Sequence, residues 1–278
     1  MATVLAVSSF VARGTVGLRA IMPALGRHGH ETIALPTIVL SNHLGHPRAS
    51  GSAIPAETLS SMIDMLDSNG WLEGVDAVQT GYLPSADHVH LVETLVKRLL
   101  VHRPDALIVC DPVLGDHPGG LYVPAEAAKA VRDRLMPLAT HMKPNRFELA
   151  FLSGHPVETM SDIVAAARSL PPPVVLASSI PMPENRLANV LVEPNEAAYC
   201  TVPLMANAPH GTGDLLTAVF VSELLSGRPT RQAAAEAVVR VRRAVDASYG
   251  ADELALSKAS VWEPTNPIGM ADLETGFD

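Results

Sequence analysis

The chain of 278 residues has few cysteines, no long apolar run and no excess of positive charge. Its two cysteines, Cys110 and Cys200, lack metal-type spacing and are interpreted as buried thiols in a reducing cytosol. No run of about 18 apolar residues is present, which argues against a membrane span. The N-terminal segment lacks the basic region of a signal peptide. We therefore expect a cytoplasmic protein.

The charge of the chain argues against two classes of partner. The formal net charge is −9, and the basic residues are scattered along the sequence. Neither nucleic acid nor an anionic membrane surface is expected to bind such a chain. Apolar residues make up 47% and charged residues 18%, which is typical of a soluble enzyme. The length alone allows one large domain or two small ones.

Several catalytic motifs are missing from the sequence. It has no G-x-x-x-x-G-K-[ST] of a P-loop NTPase and no G-x-G-x-x-G of a dinucleotide-binding enzyme. A G-x-S-x-G nucleophile elbow and an H-E-x-x-H zinc pattern are also missing. The histidines occur mostly in polar contexts and are interpreted as surface residues rather than ligands; they include His28, His30, His43, His46 and His102.

Short apolar runs alternate with longer amphipathic stretches along most of the chain. This alternation predicts a largely parallel sheet covered by helices on both faces. Runs 188–193 and 198–203 follow each other directly and predict a hairpin near a sheet edge. The clearest helix is 230–248, with Arg240 and Arg243 on its solvated face. The stretch from about 257 is polar, and we expect it on the surface.

The predicted elements are the following. Candidate strands are 3–8, 32–39, 75–79, 106–110, 139–142, 173–177, 188–193 and 198–203. Candidate helices are 16–27, 56–69, 86–102, 124–135, 145–153, 158–169, 212–226 and 230–248. The early part of this pattern holds no insertion of 30–40 residues. We therefore predict a three-layer α/β/α sandwich without a separate lid domain, formed by residues 1–278 as a single domain.

Ligands of open parallel sheets bind beyond the carboxyl ends of the strands. The most informative segment near such an end is Gly211-Thr-Gly-Asp214, which opens an apolar helix. Glycine backbone N–H groups and a helix N-terminus favour an anion such as a transferring phosphoryl group. The carboxylate of Asp214 could accept the proton of an attacking hydroxyl. The alternative is that Thr212 or Asp214 only caps the helix.

Two further segments place carboxylates after predicted strands. Asp111 and Asp116 follow the fourth strand, where they could hold Mg²⁺ near nucleotide phosphates or make Asx turns. Lys143-Pro-Asn-Arg-Phe-Glu148 follows the fifth strand. Glu148 could reach a metal-bound water, or Asn145 and Glu148 could form a capping box.

Taken in order, these segments resemble pyridoxal kinase of the ribokinase-like superfamily over residues 4–250. G-T-G-D and P-N-x-x-E mark the superfamily, whereas Ser41-Asn-His43 and the first loop point to its vitamin B6 kinases. The segments that carry the resemblance are 9–17, Ser41-Asn-His43, Gly81-Tyr-Leu83, Asp111-Pro-Val-Leu-Gly-Asp116, Leu121-Tyr-Val-Pro124, Pro144-Asn-x-x-Glu148 and Gly211-Thr-Gly-Asp214.

The resemblance implies an ATP-dependent kinase that phosphorylates the 5′-hydroxymethyl group of pyridoxal, pyridoxine or pyridoxamine. Asp214 would be the general base, and Gly211, Thr212 and Gly213 would form the anion hole. Residues implied for the vitamer are Ser9, Val16, Leu40, Leu44, Tyr82 and Tyr122. Those implied for ATP are Asp111, Lys143, Asn145, Glu148 and Ser178, and those for Mg²⁺, largely through water, are Asp111, Asp116 and Glu148. Whether the enzyme also uses a monovalent cation is left open. Relatives without a lid usually form homodimers, so the resemblance also implies a homodimer.

Some positions depart from the family pattern and keep alternatives open. Leu44 stands where a threonine is usual, and Leu40 replaces a common aromatic residue. Ala177 and Lys143 also differ from the usual residues at nucleotide-binding positions. A kinase for hydroxymethylpyrimidine or another small alcohol is one alternative. A weakly active B6-binding protein on the same fold is the other.

Overall fold

The computed structural model describes residues 1–264 and 268–273. Strands and helices alternate through most of this range, as the sequence predicts. The strands are β1 Thr3–Val11, β2 Glu31–Leu40, β3 Gly51–Ala53, β4 Ala77–Thr80, β5 Leu107–Cys110, β6 Gly115–Asp116, β7 Gly120–Leu121, β8 His141–Met142, β9 Val174–Met182, β10 Arg186–Val192, β11 Ala197–Pro203 and β12 Ala271–Asp272. The helices are α1 Leu18–Arg27, α2 Ala56–Ser68, α3 Ala86–His102, α4 Ala125–Ala130, α5 Arg146–Ser153, α6 Met160–Arg168, α7 Thr212–Leu225 and α8 Thr230–Ala247.

Ten of these strands form one mixed sheet. Their order is β12-β11-β10-β9-β8-β5-β4-β1-β2-β3, and β6 and β7 form a separate small hairpin. The central strands from β9 through β2 pair in parallel, whereas the outer strands pair antiparallel at both edges. The predicted hairpin is therefore confirmed as β10 and β11, and it belongs to a longer antiparallel run that starts at β9.

The sheet is buried on both faces, as β1 shows. Leu5 and Val7 join one apolar cluster, and Val4 and Ala6 join the other. Successive strand residues point to opposite faces, so an unbroken apolar run is what such a central strand requires. Helices α2–α6 cover the first face, and α1, α7 and α8 cover the second. This arrangement confirms the predicted three-layer α/β/α sandwich, and no segment of the described residues forms a separate lid.

Several boundaries differ from the predicted elements. Candidate helix 124–135 is an α-helix only over α4, and the chain continues as a π-helical turn, Val131–Leu135, and a 3₁₀ turn, Met136–Leu138. Pro137 cannot donate a backbone hydrogen bond, which suits the end of a helix. The short strands β3, β6, β7 and β12 were not predicted, because a segment of two or three residues is too short to show an alternation of apolar and polar side chains. None of the described helices has the length and apolarity needed to cross a membrane.

Two predictions about the C-terminal part were wrong. Arg240 is buried rather than solvated, since its guanidinium donates hydrogen bonds to the carbonyls of Val261 and Glu263. The stretch after 257 is not confined to the surface, because Val261 and Met270 are buried against the layer of α7 and α8. The carbonyls of this segment supply the partners that a buried arginine needs. That all of residues 1–278 form one domain stays a prediction.

Candidate active site

The turn at Gly211 sets the start of α7. Gly211 is the N-cap residue, with φ of 95° in the left-handed region, and no side chain caps this helix. A Cβ atom at Gly211 would lie 1.8 Å from the carbonyl oxygen of Thr15, so only glycine fits here. Thr212 and Asp214 lie inside the first turn. Neither side chain therefore occupies the N-cap position, and the N–H groups of Gly211, Thr212 and Gly213 stay available for an anion, whereas that of Asp214 donates to its own carboxylate.

Asp214 lies partly buried beneath the loop that follows β1. The backbone N–H of Gly17 and its own N–H donate hydrogen bonds to the Asp214 carboxylate. Burial, and then the nearby carboxylate of Asp111, raise the pKa of Asp214 to about 6. A carboxylate with such a pKa is still ionised at neutral pH, yet accepts a proton more readily than an exposed aspartate. These are the properties of a general base.

A buried ion pair lies under the glycine turn. Lys143 Nζ is 2.9 Å from Asp111 Oδ1, and Thr217 Oγ1 donates to Asp111 Oδ2 over 2.7 Å. Burial would lower the pKa of Lys143, but the Asp111 and Glu148 carboxylates hold it above its usual value. A Cβ atom at Gly213 would be 3.1 Å from Lys143 Nζ, which shows how near the ammonium lies to the turn. An anion at the turn would therefore meet a fixed positive charge.

Glu148 has the capping role that was one of its two predicted roles, and its role near a metal ion stays a prediction. Asn145 and Glu148 form a capping box at α5, in which Glu148 Oε2 accepts from the Asn145 N–H over 2.9 Å. Its Oε1 accepts from the N–H of Leu114 over 2.8 Å and so ties α5 to the loop after β5. Burial raises the pKa of Glu148 to about 7. Capping is thus observed, and it leaves the carboxylate close to the charges of Asp111 and Lys143.

The hairpin β6–β7 carries two further predicted residues. Asp116 is exposed, and the phenol of Tyr122 interacts with its carboxylate. Burial and this contact raise the pKa of Tyr122 well above its usual value. The Asn145 amide holds the hairpin to α5 by donating to the Gly115 carbonyl over 2.8 Å. Tyr122 is therefore placed with the carboxylates, and its predicted role against a vitamer ring stays a prediction.

Residues of the predicted vitamer pocket lie at or near the ends of β1, β2 and β4. Ser9 packs on Gly17, where a Cβ atom would lie 2.4 Å from Ser9 Oγ. The backbone N–H of the same Gly17 donates to Asp214, so Val16 lies on the loop next to the base, and Ser9, within β1, packs against that loop. Tyr82 follows β4 and accepts from Thr37 Oγ1 through its carbonyl. Leu40 ends β2, and Leu44 is 65% exposed in the loop beyond it.

An apolar cavity that the sequence did not reveal adjoins the glycine turn. Ser178, Thr212 and Gly213 form its polar end. Ser178 is held there by its N–H, which donates to the Pro144 carbonyl over 2.9 Å. The remaining lining is mostly aliphatic and comes from β10, β11, the segment after β11, α7 and α8; it includes Leu187, Val202, Met205, Leu216, Val238, Val241 and Val245. These residues lack any motif, because they meet only in the folded chain.

Comparison with known proteins supports one family over nearly the whole chain. The phosphomethylpyrimidine kinase family model matches residues 18–257. The pyridoxine/pyridoxal/pyridoxamine kinase of Bordetella bronchiseptica is 35% identical over 262 residues, which cover 91% of this chain and 93% of that protein. The pyridoxal kinase PdxY of Corynebacterium diphtheriae is 30% identical over 255 residues, covering 90% of each chain.

Solved structures agree with these relatives. The pyridoxal kinase of Leishmania donovani in complex with ADP and pyridoxamine superposes with a TM-score of 0.93 at 26% identity, covering 99% of this chain and 100% of that one. The enzyme from Entamoeba histolytica gives 0.92 at 26% identity, with 98% and 100% covered. The chain belongs to the pyridoxal kinases of the ribokinase-like superfamily.

Proposed function

We propose that the protein transfers the γ-phosphoryl group of ATP to the 5′-hydroxymethyl group of a B6 vitamer, with Asp214 as the general base. The observation that carries this proposal is the Gly211–Asp214 turn. It presents uncapped backbone N–H groups beside the buried Lys143 and next to a carboxylate whose pKa is about 6. A kinase needs these three features at one point: an anion hole, a positive charge and a base.

The proposed reaction moves one proton and one phosphoryl group. The vitamer oxygen attacks the γ-phosphorus while its proton passes to the Asp214 carboxylate. The bond from the γ-phosphorus to the bridging oxygen breaks, and ADP leaves. The N–H groups of Gly211, Thr212 and Gly213 stabilise the charge on the transferring group, and Lys143 adds a fixed cation. Desolvation of this turn strengthens each of these interactions.

The apolar cavity is proposed to take the adenine of ATP. Its aliphatic walls suit a flat base, and its polar end at Ser178 and Thr212 faces the turn that would hold the phosphates. The Leishmania donovani pyridoxal kinase structure contains ADP together with pyridoxamine, which supports this class of substrate pair. The vitamer would then lie on the opposite side of Asp214, toward Ser9, Val16, Leu40, Leu44 and Tyr82.

Mg²⁺ is proposed to bind near Asp111, Asp116 and Glu148 and to neutralise charge on the ATP phosphates. Both Glu148 oxygens already accept backbone N–H groups, so the donor set fits a hydrated ion better than direct ligation. Glu148→Gln should raise the Mg²⁺ concentration for half-maximal activity about 10-fold. The KM for the vitamer should change less than this Mg²⁺ concentration does. An unchanged Mg²⁺ dependence would leave Glu148 with its capping role alone.

The substrate assignment is tested with the purified full chain, ATP and a panel of alcohols. Pyridoxal, pyridoxine, pyridoxamine, hydroxymethylpyrimidine and a hexose are compared by kcat/KM, with ADP formation as the readout. We expect a B6 vitamer to be the best substrate, because the pocket offers few fixed polar groups for sugar hydroxyls. Faster turnover of hydroxymethylpyrimidine would replace this proposal by a pyrimidine kinase. Vitamer binding without turnover would indicate a B6-binding protein.

Three broader expectations accompany the proposed activity. Relatives without a lid usually form homodimers, and light scattering at micromolar concentration tests this for the present chain. A cytoplasmic location follows from the interpretation of the free thiols, and the structure describes both Cys110 and Cys200 as buried and unpaired. A requirement for a monovalent cation is tested by replacing K⁺ with a large organic cation in the same assay.

A further inference from the structure

A histidine cluster lies at the mouth of the candidate site, outside the machinery described above. We define it by His43, His46, His210 and Glu253. The rings of His43 and His46 have centroids 4.2 Å apart, and the His210 ring lies 4.5 Å from that of His43. Glu253 Oε1 is 3.2 Å from His46 Nε2 and 3.7 Å from His43 Nε2. Within residues 1–264 and 268–273, His43, His46 and Glu253 are the one group of this kind compact enough to hold a metal ion.

A second observation points to a ligand at this cluster. His43 is only 9% exposed, and its Nε2 atom is buried without a hydrogen-bond partner. A buried polar atom that lacks a partner is costly, and native proteins usually supply one. This nitrogen faces Glu253 Oε1, beyond hydrogen-bond reach but near enough to share an ion with it. Once its proton has moved to Nδ1, this nitrogen and Glu253 Oε1 can together bind an electron-pair acceptor such as a metal ion.

The carboxylate of Glu253 is already oriented for such a role. Its Oε2 accepts the backbone N–H of Thr15 over 3.1 Å, so Oε1 remains directed at the histidines. Arg13 lies farther away, with 3.9 Å between its guanidinium and Oε1. A ligand fixed by a backbone contact loses little freedom on binding an ion. Such outer contacts are typical of protein metal sites.

We propose that His43, His46 and Glu253 bind one divalent transition-metal ion of the Zn²⁺ type. Two imidazoles and one carboxylate form a common Zn²⁺ ligand set with one open position. Ligands about 2.0–2.1 Å from a tetrahedral ion lie roughly 3.3 Å apart, and the observed separations from Glu253 are 3.2 and 3.7 Å. His210 or a water molecule takes the fourth position. Mg²⁺ is not the matching ion, because it prefers an octahedron of oxygens.

Metal binding requires a proton shift at both histidines, since the Nε2–H of His46 donates to Glu253 Oε1 over 3.2 Å in the metal-free protein and His43 also carries its proton on Nε2. The N–H of Gly45 donates to His43 Nδ1 over 3.2 Å, which leaves the proton on Nε2 in the free protein. With the metal on Nε2, the proton moves to Nδ1 and this weak contact is given up. The same loop is anchored independently, because Asn42 donates to the carbonyl of Arg48 over 2.8 Å. The loop can therefore keep its position while the His43 ring changes its proton.

The bound ion would join segments that are remote in the sequence. It would tie the loop 41–46 to the segment after α8, and Glu253 also holds the loop at Thr15. That loop packs on Gly211, and Gly45 packs on His210. Metal occupancy would therefore hold the loops around the acceptor side of the turn in one arrangement. Metal binding itself does not depend on the proposed kinase activity.

The test titrates Zn²⁺ and Co²⁺ into the EDTA-treated full chain without ATP. We expect one Zn²⁺ per chain by calorimetry, a higher melting temperature with Zn²⁺ than without, and the intense visible bands of tetrahedral Co²⁺. His46→Ala and Glu253→Gln should each weaken Zn²⁺ binding at least about 10-fold and remove the Co²⁺ bands. Both side chains are partly exposed, so the metal-free variants should melt as the parent does.

The matched control is His102→Ala, which removes an exposed histidine at the end of α3. It should leave Zn²⁺ affinity and the Co²⁺ spectrum unchanged. Excess Mg²⁺ should not displace Zn²⁺. Zn²⁺ binding that survives both cluster variants, or that weakens equally in the control, would overturn the proposal. Failure of the parent chain to bind Zn²⁺ at micromolar concentration would do the same.

Discussion

The candidate site has two polar regions that differ in how completely their groups are paired. The strand-end cluster, Asp111, Lys143, Glu148 and Thr217, is buried, and its opposite charges are paired: Asp111 Oδ1 accepts no well-aligned hydrogen bond but lies 2.9 Å from the Lys143 ammonium. The histidine cluster is partly open, and one of its buried nitrogens has no partner. Buried charges that are paired in this way hold one arrangement of the chain. The unpartnered nitrogen of His43 has no such opposite charge in close contact, and the proposed metal site rests on it.

The largest expected effect is a loss of kcat without a loss of stability, produced by replacing Asp214 beside the strand-end cluster. Asp214→Asn keeps the size of the side chain and removes its basicity. We expect kcat to fall about 10²–10⁴-fold, the range for one general base. Because the native state raises the pKa of Asp214 to about 6, the ionised carboxylate destabilises the fold above that pH. The melting temperature at pH 7.5 should therefore stay unchanged or rise by a few degrees.

The matched control for this variant is Asp87→Asn. Asp87 also lies in the first turn of a helix, α3, but it is exposed and far along the chain from the glycine turn. This change should leave kcat unaltered, so that any general effect of a lost charge at a helix N-terminus is measured separately. An active Asp214→Asn enzyme would mean that another group accepts the proton.

A smaller effect compares a buried ion pair with an exposed one. Lys143→Met leaves the buried Asp111 carboxylate without its cation, and the free energy of unfolding should fall by about 3 kcal/mol. Adding Asp111→Asn to that variant should recover at least half of the loss. Arg13→Met breaks an ion pair with Asp252 whose side chains are 63% and 61% exposed, and it should leave the free energy of unfolding nearly unchanged because solvent screens exposed charges. Denaturant titration measures all three, and equal losses for the two single variants would contradict the comparison.

The smallest expected effect is a shift in the pH dependence of kcat. The active form of Asp214 is ionised, so kcat should fall as the pH drops through about 6. Burial is the main cause of this raised pKa, and the Asp111 carboxylate adds to it. Asp111→Asn should therefore move the acid limb of the kcat profile to lower pH. ATP titrates equally in both proteins, so the difference between the two profiles reports a group of the protein. An upward shift would argue against Asp214 as the base.

Much of the fold and part of the site follow from local sequence patterns. Apolar runs such as β1 and β5 predict central strands, and the turn residues 193–196 predict the β10–β11 hairpin. The site residues that directly follow strands, such as Asp111 and Lys143, could also be named. Their mutual pairing could not, because each was predicted as a separate phosphate or metal contact. Only the register of neighbouring strands, β5 and β8, brings the two together.

What the sequence did not reveal depends on segments that meet across long distances. His43 was interpreted as a surface residue, since its neighbours in sequence are polar. It is buried, and its ring packs on those of His46 and His210 and lies near Glu253, which follows α8. The helical periodicity of α8 predicted that Arg240 faces solvent. In the structure the carbonyls of Val261 and Glu263, in the segment after α8, accept hydrogen bonds from its guanidinium. The period of one helix carries no information about a later segment that covers it.

The contacts between the loop after β1 and the turn before α7 have a consequence for the order of folding. The N–H of Gly17 donates to the Asp214 carboxylate, and the carbonyl of Thr15 packs against Gly211. Nearly two hundred residues separate these two segments along the chain. Closing so large a loop is entropically costly and is expected late in folding. A nascent chain leaving the ribosome therefore has neither a completed anion hole nor a held base until α7 has emerged and packed. Regain of turnover during refolding would mark the last long-range closure rather than the first appearance of helix.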